Sequence, residues 1–164
     1  KGKDARRGDY SAYVRLGLGL DNYLYVEADL KRRDTSTMVR DGVEHVRRFR
    51  PDGFALESNA YQELLAPDFA EAGRESGVEL PLYLVDNRVN KEVRIRRLGP
   101  YLSQRRMRFK ANSPGTALLV QQLRDFSGGD FDDGCDSLEM AVRLLGQLLD
   151  GNGNEEPTFD IYRT

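Results

Sequence analysis

The sequence predicts an α/β fold in which a mixed central sheet is flanked by helices. A hairpin-like pair of apolar segments opens the chain, and three further short apolar strands then alternate with amphipathic helices. This order is typical of sheets that combine antiparallel and parallel pairs. The 164 residues fit one domain, which we place at residues 1–150 and which a tail at 151–164 follows.

The first half of the chain predicts four strands and two helices. Tyr10–Leu20 and Tyr23–Ala28 are the two strands of the hairpin, and a polar Asp-Asn pair forms the turn between them. A helix from Thr35 or Ser36 to about residue 50 follows, with Thr35 or Ser36 as its cap and a proline at its end. The remaining elements are a strand at 53–57, a helix at 59–76 and a strand at 80–85.

The second half predicts three helices and one more strand. A helix at 91–103 contains a Gly-Pro pair at 99–100, which we expect to break or kink it. A short strand at 107–109 and a helix at 115–126 come next. The last helix, at 134–149, has apolar residues along one face and is expected to bury that face. The tail beyond it is expected to dock loosely or not at all.

Composition excludes several classes of protein. The longest purely apolar run has four residues, at 117–120, which is far too short for a membrane span. A single cysteine, Cys135, cannot form an intrachain disulfide, and it favours a reducing compartment. One cysteine and one histidine, His45, are too few for a structural zinc site. A Cys135–His45 nucleophile pair is also disfavoured, since neighbouring acids oppose a thiolate.

Charge is divided into two blocks although the formal net charge is only −2. Residues 88–110 contain nine basic residues and one acid, whereas residues 125–139 contain six acids and no base. Such a division suits a polyanion on the basic block and metal ions on the acidic block. Two solvated faces are the alternative.

Carboxylates occur at two positions that suit a catalytic or metal-binding role. Glu57 directly follows the apolar strand at 53–56, where ligands gather in open α/β sheets, although a surface acid or a helix cap is the alternative. Asp130, Asp132, Asp133 and Asp136 surround the start of the last helix. Capping and the helix dipole account for two of these four. Carboxylates from separate elements beside a basic surface are what two-metal phosphodiester hydrolysis needs, so the pattern indicates a nuclease with an RNase H-like fold.

Several segments together resemble the C-terminal nuclease domain of tailed-phage large terminase subunits. They are, in order, Phe54-Ala55-Leu56-Glu57-Ser58-Asn59 with Tyr61-Gln62, Lys91 with Arg94-Ile95-Arg96-Arg97-Leu98, Gln122-Leu123-Arg124-Asp125-Phe126, and Phe131-Asp132-Asp133-Gly134-Cys135-Asp136-Ser137. The resemblance covers about residues 8–149. It implies a three-layer RNase H-like fold, related to that of RuvC resolvases. It also implies an enzyme that cuts concatemeric viral DNA with an acidic triad and two Mg²⁺ or Mn²⁺ ions.

The resemblance also assigns roles to individual acids. Glu57 matches the second acid of the triad, and the third matches the Asp132-Asp133 pair, where we favour Asp133. Asp132 or Asp136 assists as a further metal ligand. The family's first acid lies on a strand ahead of the segment that Gly8-Asp9-Tyr10-Ser11-Ala12 matches. That first strand is therefore expected to be truncated in this chain, Asp9 becomes a supporting catalytic acid, and the chain alone can be inactive.

The basic block is expected to face DNA. Its predicted phosphate contacts are Lys91, Arg94, Arg96, Arg97, Arg105 and Arg106. For Lys91 a solvated helix residue is the alternative. Little sequence preference is expected, because phosphate contacts carry no sequence information.

The resemblance implies partners as well. No Gly-x-x-x-x-Gly-Lys-Ser/Thr motif occurs, so the ATPase motor of a terminase is expected in an N-terminal domain of the same polypeptide. Double-stranded DNA, the portal and the small terminase subunit complete the expected partners, and the host cytoplasm is the expected location. No membrane contact is expected.

Two alternatives remain. A RuvC-like resolvase or transposase core has the same fold and would prefer branched DNA. A non-catalytic DNA-binding packaging module would bind DNA without needing divalent ions or Glu57.

Overall fold

The computed structural model describes residues 11–57, 65–126 and 128–151, together with the backbone of residues 161–162. The elements in chain order are β1 (Ser11–Leu18), β2 (Leu24–Lys31), α1 (Thr35–Phe49), β3 (Phe54–Glu57), α2 (Leu65–Ser76), β4 (Leu82–Val85), α3 (Lys91–Arg96), α4 (Gly99–Ser103), β5 (Met107–Phe109), α5 (Pro114–Asp125), α6 (Asp133–Asp150) and β6 (Ile161–Tyr162). The predicted α/β class, with strands in both directions and flanking helices, is confirmed.

The structure corrects one local prediction and confirms another. The cap of α1 is Asp34, whose carboxylate accepts from the Thr37 backbone N–H, rather than Thr35 or Ser36. The break predicted at 99–100 is confirmed: the segment at 91–103 forms two helices, and Pro100 lies in the first turn of the second. The tail contributes β6, which pairs with β4. The helix predicted from residue 59 is described from Leu65 onward, and 59–64 lie outside the described residues.

The described strands form two sheets of three. In one sheet β1 pairs antiparallel with β2, and β2 pairs parallel with β5. In the other sheet β3 pairs parallel with β4, and β4 pairs antiparallel with β6. Each sheet is therefore mixed, and within the described part of the chain β1 and β3 each have one edge without a strand partner.

Side chains of β1 alternate between two apolar clusters. Ala12, Val14 and Leu16 pack against the cluster that β2 shares with α3, α5 and α6, and Leu119 and Leu138 lie at its centre. Tyr13 faces the other way and donates from its hydroxyl to the Met38 carbonyl of α1. Because successive strand residues point to opposite faces, α1 covers one face of β1 while α5 and α6 cover the other.

The second cluster belongs to α1, α2 and β4. Its buried members are Val39, Val43, Val46, Leu65, Phe69, Leu80 and Leu82. The ring of Phe69 lies edge-on to Phe54 of β3, at 5.4 Å between ring centroids, so this cluster reaches the strand that carries Glu57. None of the described helices combines the length and hydropathy that a bilayer crossing demands.

A groove of about 1300 Å³ runs between the two sheets. It is lined by all of β1 and β3 and by apolar residues of α1 and α6, such as Val46, Leu144 and Leu148. The residues of β1 and β3 are almost all half-buried, although both strands sit between layers of helix. The groove is therefore bounded by the edges of β1 and β3 and by the surfaces of α1 and α6.

The apolar centre of the larger cluster supplies a stability test. Leu119 is fully buried, so Leu119→Ala is expected to lower the free energy of unfolding by about 3 kcal/mol through lost burial and the cavity it leaves. Leu149→Ala is the matched control, because this leucine is 62% exposed, and its effect should stay within about 0.5 kcal/mol. Urea denaturation of both variants measures the difference, and equal effects would contradict the assigned core.

Candidate functional site

Glu57 and Asn87 lie at the carboxyl ends of two neighbouring parallel strands. Glu57 is the last residue of β3 and is in register with Val85, the last residue of β4. Two residues later, the Asn87 side-chain Nδ2 donates to Glu57 Oε1 at 2.8 Å. The predicted position of Glu57 at the end of a strand is confirmed, and this strand end lines the groove.

The start of α6 brings acids to the same groove. The Gly134 backbone N–H donates to the Gln122 side chain of α5 at 2.8 Å, which anchors the first turn of α6. A Cβ atom on Gly134 would lie 2.8 Å from Leu30 Cδ2, so a larger residue would push this turn away from β2. Asp133 and Asp136 of that turn line the groove together with Glu57.

Lys91 neutralises two of the acids at the start of α6. Its Nζ lies 2.7 Å from Asp132 Oδ1 and 3.6 Å from Asp136 Oδ2. Partial burial by itself lowers the pKa of Lys91, but the hydrogen bond to Asp132 and the charge of Asp136 outweigh it, so the pKa is raised. Asp132 precedes α6 as its cap residue, yet its side chain makes no capping hydrogen bond. Its carboxylate binds Lys91 instead.

Arg94 is buried, whereas the sequence places it on the DNA-facing surface. It is 3% exposed, and its Nη1 lies 2.6 Å from Asp136 Oδ1 and 2.9 Å from Glu139 Oε2. Burial lowers the pKa of this guanidinium, but its hydrogen bonds with Asp136 and Glu139 outweigh that effect and leave the pKa raised. Arg94 is therefore charged and joins α3 to α6, and its guanidinium is turned away from the surface.

The other predicted DNA contacts lie at or near the surface. Arg96, Arg97 and Arg105 are exposed, and Arg106 is half-buried, with its guanidinium donating to the Asn22 carbonyl. Arg96 pairs with Glu92 on the same helix. These four remain predicted phosphate contacts. Asp9, the predicted supporting acid, lies outside the described residues.

The described residues do not fit the predicted two-metal centre by themselves. Across residues 11–57, 65–126 and 128–151, no three His, Cys, Asp or Glu side chains converge so as to hold a metal ion. Asp132 and Asp136 face Lys91 and Arg94, which already supply positive charge. The predicted roles of Glu57, Asp133, Asp132 and Asp136 as metal ligands stay predictions.

Cys135 and His45 belong to different parts of the fold. Burial and the nearby Asp132 carboxylate raise the pKa of the Cys135 thiol to about 12, so a thiolate is disfavoured, as the sequence predicts. His45 stacks near Tyr13 and lies 3.1 Å from Asp29. Burial and the charge of Arg15 lower the pKa of His45, which leaves it neutral at pH 7. Neither residue serves the groove as a nucleophile.

The sequence does not single out Asn87, Glu139 and Arg143 as functional residues. Arg143 donates to Asn87 Oδ1 at 2.5 Å and to Glu139 Oε2 at 3.3 Å, and Glu139 in turn holds Arg94. The available signals are weak. Asn87 follows a strand end, and Glu139 and Arg143 have the four-residue spacing of a helical ion pair.

The chain is similar in structure to a known protein. No family model and no curated protein matches the chain. Among solved structures, RuvC of Thermus thermophilus matches with a TM-score of 0.44 and 16% sequence identity, over 85% of this chain and 87% of that one. The similarity assigns no role to any residue of this chain.

Removing Arg94 is expected to destabilise the domain. Arg94→Ala would leave Glu139, itself 3% exposed, as a buried carboxylate with a lost partner, and should lower the free energy of unfolding by about 3 kcal/mol. Arg96→Ala is the matched control two positions away, because it removes an exposed ion pair worth less than about 1 kcal/mol. Thermal and urea denaturation compare the two variants. A stable Arg94→Ala protein would show that the cluster does not hold α3 on α6.

Proposed function

We propose that this chain is a nuclease domain that hydrolyses phosphodiester bonds in DNA, and that it serves as the nuclease domain of a viral large terminase. The observation that carries the proposal is the groove that is lined both by Glu57, at the carboxyl end of the parallel strand β3, and by Asp133, in the first turn of α6. Acids from separate elements that line one groove at the end of a parallel strand suit hydrolysis of a phosphodiester. The family resemblance, which names the same two acids, supports the choice.

The dependence on Mg²⁺ or Mn²⁺ is part of the proposal. Since the described acids do not make a complete metal set, the proposal adds an acid from a strand that leads into β1, with Asp9 as a supporting acid. The groove between β1 and β3 offers room and two strand edges for such a strand. A strand paired with the edge of β3 would bring the additional acid near Glu57.

The described residues have distinct tasks under this proposal. Asn87 holds the Glu57 carboxylate, and Lys91 balances the negative charge at the start of α6. Arg96, Arg97 and Arg105 are exposed and available for phosphates. Contacts of this kind bind DNA of any sequence and weaken as salt rises.

The terminase role supplies the proposed partners. They are double-stranded DNA, an N-terminal ATPase domain of the same polypeptide, the portal and the small terminase subunit. The proposed setting is the cytoplasm of a host cell. Cutting of concatemeric DNA during packaging is the proposed task.

A non-catalytic DNA-binding module is the second candidate. One observation favours it: Lys91 and Arg94 neutralise Asp132 and Asp136, as the cations of a structural cluster do. In that case the groove acids stabilise the fold, and DNA binding needs no divalent ion.

Plasmid cleavage at low salt tests the nuclease. With Mn²⁺ or Mg²⁺ the protein is expected to nick or linearise DNA, and EDTA should stop the reaction. Glu57→Ala should reduce the rate at least about 100-fold, because it removes a preorganised charge at the reacting phosphate. Glu71→Ala is the control, since Glu71 is exposed on α2 and pairs with Arg74. DNA binding that survives EDTA and Glu57→Ala, with no cutting by this protein or by a version extended at its amino end, would contradict the nuclease and support the binding module.

A version of the protein extended at its amino end tests the proposed strand. It is expected to cut DNA faster than residues 1–164 and to unfold at higher denaturant concentration, because the strand would pair with the edges of β1 and β3. Branched DNA serves as a second substrate in the same assay. A marked preference for branched DNA would favour a resolvase over a terminase, and an extended chain with unchanged stability would contradict the strand's placement.

A further inference from the structure

Asn87 is held between a carboxylate and a guanidinium. Its Nδ2 donates to Glu57 Oε1 at 2.8 Å, and its Oδ1 accepts from Arg143 Nη2 at 2.5 Å. Nδ2 also lies 3.7 Å from the Met140 sulfur, so an apolar side chain of α6 packs beside the amide. Both polar contacts of the amide are therefore with charged groups in a half-buried place.

These two neighbours leave the amide a single orientation. A guanidinium can only donate hydrogen bonds, and an ionised carboxylate can only accept them. If the Asn87 amide were flipped, its NH₂ group would face the Arg143 guanidinium and its oxygen would face the Glu57 carboxylate. Both contacts would be repulsive. Arg143 thus ensures that Asn87 presents a donor to Glu57.

Arg143 is itself fixed in place by the ion cluster. Its Nη1 donates to the Asp86 backbone carbonyl at 3.2 Å, and its Nη2 lies 3.3 Å from Glu139 Oε2. Glu139 is buried against Arg94, so the guanidinium of Arg143 rests on a carboxylate that cannot move freely. The contacts run from α3 through α6 to the ends of β4 and β3.

We propose that Asn87, oriented by Arg143, is a positioning residue that holds the Glu57 carboxylate in place at the groove. The inference rests on the proposed nuclease function, in which Glu57 acts on the scissile phosphate. A hydrogen bond to an ionised carboxylate is stronger than a neutral one, so it restricts the rotamers of the glutamate. Substrate binding by the basic surface does not involve Asn87.

The contact itself is tested without any activity. In the ¹⁵N-labelled 164-residue protein, the side-chain amide signal of Asn87 is assigned by its absence from the spectrum of Asn87→Ala. The signal is expected to shift in Glu57→Ala and in Arg143→Met. It should not shift in Arg48→Met, which removes an exposed arginine paired with Glu44 on α1. An unmoved Asn87 signal in folded Glu57→Ala protein would overturn the proposal, whether or not Arg143→Met folds.

The consequence for cleavage is tested by kinetics. Asn87→Asp keeps an acceptor for Arg143 but loses the donor to Glu57, so it and Asn87→Ala should both lower kcat about 10- to 100-fold with KM unchanged. In a Glu57→Gln background, Asn87→Ala should add no further loss, because the two residues act as a unit. A change in KM alone, or an additive loss in the double variant, would contradict positioning through Glu57.

The two arms separate this proposal from the proposed function. In one outcome the protein never cuts DNA, with or without an amino-terminal extension, while its Asn87 signal shifts as expected. This outcome would refute the nuclease and, with it, the positioning role, and the Asn87–Glu57 contact would then be purely structural. Cleavage that needs Glu57 but is unchanged by Asn87→Asp would keep the nuclease and refute the positioning role.

Discussion

The buried ion cluster around Arg94 is the interaction on which the acidic groove depends. Arg94 and Glu139 are each 3% exposed, and they pair further with Asp136 and Arg143 respectively. Buried charges cost several kcal/mol of desolvation each, which only close partners offset. Separation of α3 from α6 would break the ion pairs that Arg94 makes with Asp136 and Glu139. The cluster therefore fixes where the acids of α6 stand relative to the ends of β3 and β4.

The same cluster pairs two of the acids with basic residues. Asp132 and Asp136 bind Lys91 and Arg94, and Asp136 also lines the groove, as Glu57 and Asp133 do. Four aspartates around the start of one helix repel one another, and the sequence alone suggests that metal ions supply the compensating positive charge. The structure shows that two basic residues of α3 supply part of that charge. Lys91 and Arg94 lie three positions apart, so one face of a short helix carries both charges.

The order of strands and helices and the position of Glu57 followed from sequence because they depend on local signals. Apolar runs, prolines and the acid after Phe54–Leu56 are visible in the chain, and α1 and α6 begin or end within a residue or two of their predicted bounds. The burial of Arg94 was not predictable, because Arg94 and Arg96 look alike in sequence and differ only in which side of α3 meets α6. Asn87 was missed for a similar reason: its neighbours Glu57 and Arg143 are 30 and 56 residues away.

The groove between the sheets connects the fold with the proposed chemistry. In the described residues the free edges of β1 and β3 lie between α1 and α6, whereas edge strands ordinarily lie at the outside of a sheet. Backbone groups in such a place need partners, and a strand between β1 and β3 would supply them. Because β3 ends at Glu57, a strand parallel to it would end beside the same carboxylate. One added element would thus meet both the hydrogen-bonding demand of the two sheets and the need for a further acid next to Glu57.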